Sequence, residues 1–228
     1  MTVEQVVAHL RLLSSERAAT LWKRWATDSK DTCLGVGITK LRAFAKSLPK
    51  SNSLALQLWD TGIHECKLLA TFVADSSVLD SEQLNVLVAG VYTVDLSNFF
   101  VEYVVSKTNF LLEKSAEWTM DFQPEMMRRT GYQCVTKLAL TSKMLDNNYF
   151  KKHLYIIEYE IKKAPNWVKE GQNNALIAIG QRNKLLNKDC IKVANKVGQI
   201  FVDYGESLRK TLDAKTILQS EKVQKKLI

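Results

Sequence analysis

Ser81-Glu82-Gln83-Leu84-Asn85-Val86-Leu87-Val88-Ala89-Gly90-Val91-Tyr92-Thr93-Val94-Asp95-Leu96-Ser97-Asn98-Phe99-Phe100-Val101-Glu102-Tyr103-Val104 carries two apolar stripes with a short break between them. Leu84, Leu87, Val88 and Val91 recur at i, i+3, i+4 and i+7, the spacing that gathers side chains on one face of a helix. Leu96, Phe99, Phe100, Tyr103 and Val104 repeat the pattern. Each stripe buries itself against a neighbour, and helices joined by so short a connection lie antiparallel.

The same period extends in both directions. With 3 Pro and 9 Gly in 228 residues, little interrupts it. The spacing predicts helices over 2–12, 15–27, 38–48, 52–60, 63–74, 81–91, 95–107, 109–118, 123–141, 147–162, 167–182, 187–203 and 213–226. Start signals support several of them: Ser14 and Ser15, Thr61 ahead of Glu65, Ser81, and Asn166 behind Pro165. The series Cys190, Ala194, Val197 and Phe201 carries the helix over 187–203 to a stop at Tyr204-Gly205. Segments 28–37, with Asp28 and Gly35, and 142–147 are the connections expected to be mobile, and neither has the character of an interdomain linker. The expectation is one all-α domain over 1–228, built as a solenoid of stacked hairpins. The hairpins share no consensus, so periodicity leaves a helical bundle as the rival architecture.

Composition excludes other classes. No run approaches eighteen apolar residues, and Met1-Thr2-Val3-Glu4-Gln5 places a carboxylate where a targeting segment carries positive charge, so a soluble cytoplasmic protein is expected. Cys33, Cys66, Cys134 and Cys190 stand far apart, which argues for free buried thiols rather than zinc or disulfides. The net charge of +8 is unevenly placed: 61–106 holds one base and six acids, 181–228 eleven bases and five acids. Such a dipolar chain can steer a polyanion, although a solvated lysine-rich helix surface has the same composition.

Three stretches carry a family resemblance. Gly35-Val36-Gly37-Ile38-Thr39-Lys40-Leu41-Arg42-Ala43-Phe44-Ala45-Lys46 resembles the Gly-Val-x-x-x-x-Leu-Arg-x-x-Ala-Lys opening of the AlkD-like DNA alkylation repair proteins. Leu58-Trp59-Asp60-Thr61-Gly62-Ile63-His64-Glu65-Cys66-Lys67-Leu68-Leu69-Ala70 is similar to that family's helix pair ending in Glu-x-x-x-Leu-Ala. Met126-Met127-Arg128-Arg129-Thr130-Gly131-Tyr132 resembles its arginine-bearing, DNA-facing helix. Ala175–Gly180, Val202–Glu206 and Lys210–Ala214 extend the likeness to the tail. The resemblance implies a right-handed superhelical solenoid of HEAT-like antiparallel helix pairs with double-stranded or damaged DNA as partner; with no Walker loop or dinucleotide fingerprint in the chain, no cofactor is expected.

It also implies a chemistry, and the chain departs from it. Such glycosylases release N3- and N7-alkylpurines, using a carboxylate to stabilise the charge that develops on the sugar, with tryptophans and an arginine around it. Set against the family's Trp-Asp-Leu-x-Asp segment, Val94-Asp95-Leu96-Ser97-Asn98 places Val94 at the tryptophan and Asn98 at the carboxylate. An amide accepts hydrogen bonds but supplies no charge. Gln181 stands at the second tryptophan position, and Arg129 matches its expected place. A register shifted by one turn makes Asp95 the carboxylate and puts Val91 at the tryptophan; without the resemblance, Asp95 reads as a carboxylate favouring a helix N-terminus. Arg129 and Asp95 are therefore the catalytic candidates.

Arg128, Arg129, Arg182, Lys184, Lys188, Lys192 and Lys196 are the candidate phosphate contacts, the last three spaced by four on one helix face. His9, His64 and His153 lie on separate helices without ligand spacing, so no metal is expected. Glu158 and Glu160 point apart at i, i+2, and Trp22, Trp25, Trp59, Trp118 and Trp167 read as packing residues. Two functions follow: a DNA-binding, alkylation-repair-like protein with weakened or lost excision, or a helical-repeat scaffold for other proteins.

Overall fold

The computed structural model describes residues 1–26 and 29–227, and of Trp25 the backbone alone. The expected helix end at Thr27, the loop residue Asp28 and the side chain of Trp25 lie outside the described residues. The described chain is helical throughout, and its one extended pairing is an isolated parallel bridge between Thr32 and Ile63. It divides into two compact units, Met1–Phe110 with Gly205–Ser207, and Leu111–Tyr204 with Leu208–Ile228.

The first unit holds α1 (Val3–Leu12), α2 (Glu16–Trp25), α3 (Ile38–Ala45), α4 (Asn52–Trp59), α5 (His64–Val73), α6 (Ser81–Ala89) and α7 (Val94–Tyr103), with 3-10 turns at Ser76–Val78 and Val105–Lys107. α4 and α5 form a hairpin, and α5 also packs on α3 and α7. α5 is therefore central and buried nearly all round, including its polar residues His64, Glu65, Lys67 and Thr71. A buried polar group costs free energy unless it is hydrogen-bonded, so these four side chains dictate what must surround α5.

The second unit holds α8 (Leu111–Glu117), α9 (Glu125–Thr141), α10 (Asn147–Glu160), α11 (Asn166–Gly180), α12 (Lys184–Val197), α13 (Ala214–Gln219) and α14 (Glu221–Lys226). α11 plays the part of α5: it packs chiefly on α9 and further on α12, α13 and α10. Its run Ala175-Leu176-Ile177-Ala178-Ile179-Gly180 is buried on every side, as expected of a helix apolar all round. Gly131 lets α9 approach the end of α8, since a Cβ there would lie 2.8 Å from the backbone of Trp118 and Thr119.

Several helix ends differ from the sequence reading. α12 begins after Asn183, whose side chain accepts from the Leu186 amide, and stops at Gly198, where φ is +69°. The expected extension to 203 fails because that glycine combines a positive φ with a ψ of −160°, an extended conformation open essentially to glycine that turns the chain off the helix, leaving Phe201 72% exposed in the following loop. The helix expected over 213–226 is broken at Ser220, whose backbone is extended. Ser15 caps α2 as expected, but α6 is capped by Asp80 in a capping box with Gln83, α11 starts after Pro165, and α5 starts after Ile63 without a side-chain cap. Cys33 stands partly buried, and Cys66, Cys134 and Cys190 are buried free thiols. No helix of the described chain is long and apolar enough to cross a membrane.

Candidate functional site

In the first unit the chemistry gathers at the N-terminal end of α5 and the start of α7. Thr32 accepts the His64 amide and donates its own to Gly62, fixing segment 31–36 beside α5. The Glu65 carboxylate then accepts the amides of Leu34, Gly35 and Val36 at 2.9, 2.7 and 3.0 Å. Segment 28–37, expected to be mobile, is thus pinned from Cys33 to Val36. Gly35 makes the turn possible: its φ is +76°, and a Cβ there would meet the Ser15 carbonyl oxygen at 2.1 Å. Burial and the Glu65 charge push the Cys33 thiol up to about 12, which removes it as a thiolate nucleophile at neutral pH.

His64 and Asp95 meet across α5 and α7, with His64 Nε2 and Asp95 Oδ2 3.1 Å apart. The Trp22 ring lies 4.9 Å from the imidazole. The Leu96 amide donates to the Asp95 carboxylate at 2.9 Å. Burial works against the charge on Asp95, but His64 and these donors outweigh it and hold the carboxyl down to about 2. Asp95 is therefore ionised at neutral pH, with its side chain 26% exposed. The neighbouring positions differ. Val94 is buried in the core, and Asn98 Oδ1 is sealed from solvent with no hydrogen-bond partner among the described residues.

Further along α5, Lys67 donates to Asp31 at 2.7 Å and to the Gly90 carbonyl at 2.9 Å, and lies over the Tyr92 ring. Sequence reasoning missed these partnerships, because no local pattern links residues 23 to 36 positions apart.

In the second unit the candidate cations separate into two groups. Arg128 on α9 pairs with Glu160 at 2.9 Å, and Gln172 joins that carboxylate to the Tyr132 hydroxyl. Arg129 pairs with Glu170 on α11 at 3.0 Å and is 1% exposed, so it has no surface to offer a phosphate. Arg182 lies 4.5 Å from the Phe150 ring and donates to the Ala139 and Leu145 carbonyls, so it closes the C-terminal end of α9. These three arginines, expected on the DNA-facing surface, are committed to internal partners. Lys184, Lys188, Lys192 and Lys196, in contrast, are all exposed on α12. Lys192 lies 3.7 Å from Asp189, and Lys196 contacts Glu158. Gln181 is the C-cap of α11. No group of three or more His, Cys, Asp or Glu able to hold a metal occurs among the described residues.

The charge divides with the units. The first holds 11 Lys and Arg against 12 Asp and Glu, net −1; the second holds 21 against 12, net +9. The entire positive excess of the chain lies in the second unit.

Helices packed around one buried central helix in each unit define an all-helical protein. The chain belongs to the DNA alkylation repair enzyme family, whose model matches residues 6–201. No curated relative matches it significantly. Among solved structures it is similar to a member of a new family of proteins related to the HEAT-like repeat DNA glycosylases with affinity for branched DNA structures. That likeness has a TM-score of 0.86 at 21% identity and covers 100% of this chain and 96% of the other. The fold is accordingly that of HEAT-like helical repeats.

Proposed function

We propose that this protein binds DNA through its second unit and has lost base excision by the family's carboxylate-driven route. The observation that carries the reading is the net charge of +9 on the second unit beside −1 on the first. A phosphate backbone selects clustered cations and releases counterions when they bind, whereas a scaffold for other proteins has no need of such segregation. Lys184, Lys188, Lys192 and Lys196 are the proposed phosphate contacts, and Arg128, Arg129 and Arg182 hold α9 to its neighbours. Affinity for branched DNA, stated of the similar solved protein, agrees with this reading.

The first unit supports the loss of excision. A developing cationic sugar needs an anion held ready for it. Val94 supplies no ring, the Asn98 oxygen is uncharged and turned inward, and the candidate carboxylate, Asp95, is already paired with His64. A role in DNA repair without glycosylase chemistry, in the cytoplasm, is the resulting assignment. The test incubates the protein with duplex and four-way-junction DNA at low salt, and in parallel with DNA bearing N7-methylguanine. Retarded complexes and no released base are expected. No complex with any DNA would refute the binding, and release of methylguanine would refute the loss.

A further inference from the structure

α10 presents two aromatic side chains that the fold does not use. Tyr155 and Tyr159 are 76% and 79% exposed, and neither has a hydrogen bond or ring contact among the described residues. They stand four residues apart, so they share one face of the helix, separated by about 6 Å of helical rise. Exposed lysines bracket them: Lys151 and Lys152 one turn before, Lys162 and Lys163 just after. This face is also continuous with the lysines of α12. α10 packs on α12, and the seam is crossed by Lys151 with Asp189 at 3.8 Å and by Lys196 with Glu158. Over 147–163 and 184–197 together, eight lysines stand against three carboxylates.

Two water-facing phenols four residues apart in a basic surface leave two ring faces open to a flat ligand. Fully paired DNA cannot use them: its bases are stacked inside and it shows a protein chiefly phosphate and groove edges. An unpaired nucleotide can, because its base has a free face for the ring while its phosphates reach the flanking lysines. We infer that Tyr155 and Tyr159 form a stacking platform for unpaired nucleotides where a single strand leaves a duplex, beside phosphate contacts from the lysines of α10 and α12. The inference rests on the DNA-binding reading and deepens it by naming the DNA class: duplex carrying an unpaired arm. Charge complementarity selects nucleic acid over a second copy of this chain, since two such lysine-rich faces would repel.

The test compares a fully paired duplex with the same duplex carrying a short unpaired flap that contains 2-aminopurine. Wild-type protein is expected to bind the flap substrate more tightly and to quench its fluorescence. The Tyr155→Ala/Tyr159→Ala variant should lose the quenching and on the order of tenfold or more of flap affinity, while duplex affinity stays unchanged. The Tyr155→Phe/Tyr159→Phe variant, which keeps both rings, should behave as wild type. If wild type binds duplex but the alanine variant keeps the flap preference and the quenching, the platform is refuted and the DNA-binding reading stands. If wild type binds neither substrate, both fall. A wild-type dimer in light scattering that the alanine variant abolishes would assign the face to self-association and overturn the proposal.

Discussion

Nε2 of His64 and Oδ2 of Asp95 lie 3.1 Å apart, joining the start of α5 to the start of α7 inside the first unit. The pair turns a carboxylate that the sequence marks as a catalytic candidate into a fixed structural contact of a buried histidine. Substitution separates the two roles. Asp95→Asn keeps the shape and removes the charge, so it should lower stability by about 1–3 kcal/mol, the cost of weakening a charged hydrogen bond to a buried partner. DNA affinity should stay within twofold. Urea unfolding and anisotropy on the same preparations check both, and a variant as stable as wild type would remove the structural role.

The arginines of α9 give a second test of fold against function. Arg129 is buried against Glu170, so removing either side chain weakens the charge compensation of the other inside the protein. Glu170→Ala and Arg129→Ala should each destabilise the fold, by up to roughly 3–5 kcal/mol, and together cost less than the sum of the two, because both remove the same buried ion pair. Thermal unfolding of the two single variants and the double variant measures the coupling. If Arg129→Ala leaves stability unchanged and weakens DNA binding alone, Arg129 contacts DNA instead.

Acid should act on His153 in the second unit before it reaches the Asp95 carboxylate in the first. Burial drops His153 from its ordinary 6.5 to about 4, so between these values the unfolded chain binds a proton that the folded chain refuses. Stability contributed by neutral His153 is thus full above pH 6.5 and falls until about pH 4, by roughly 3 kcal/mol in all at 1.4 kcal/mol per unit. Asp95 acts lower. Its carboxyl, depressed to about 2, contributes stability that is present above its ordinary 3.8 and lost as pH falls through about 2. Urea midpoints across pH 7 to 4 should therefore slope for wild type and flatten for His153→Leu. An unchanged slope in the variant would place the proton elsewhere.

The repeated helices are legible in the sequence because each unit buries stripes of period 3.6, and Leu84, Leu87, Val88, Leu96 and Phe100 are buried as that period requires. The end of α12 was legible too, in Gly198, but the apolar series through Phe201 masks it. Val94, Asn98 and Gln181 can be read directly from the chain, and matching them to the family's catalytic positions rests on the resemblance. The state of the arginines cannot be read that way. Met126-Met127-Arg128-Arg129 looks like a basic surface, and only the return of Glu160 and Glu170, 32 and 41 residues later, turns it inward. Ion pairs between distant segments leave no local pattern. Neither do the amides that Glu65 gathers. The four lysines of α12 are exposed as their spacing implies, whereas the i, i+4 spacing of Tyr155 and Tyr159 would fit a buried stripe equally well, so their exposure is visible only in the fold.

The central claim is that the second unit meets DNA through the exposed lysines of α12. Fluorescence anisotropy with labelled duplex, titrated at several salt concentrations, compares wild type with the variant in which Lys184, Lys188, Lys192 and Lys196 are replaced by alanine. Each phosphate contact contributes close to one to the slope of log affinity against log salt. The expected result is tight wild-type binding at low salt, a steep fall as salt rises, and a slope shallower by about three to four in the variant. An identical slope in the two proteins, or no wild-type binding at low salt, would contradict it.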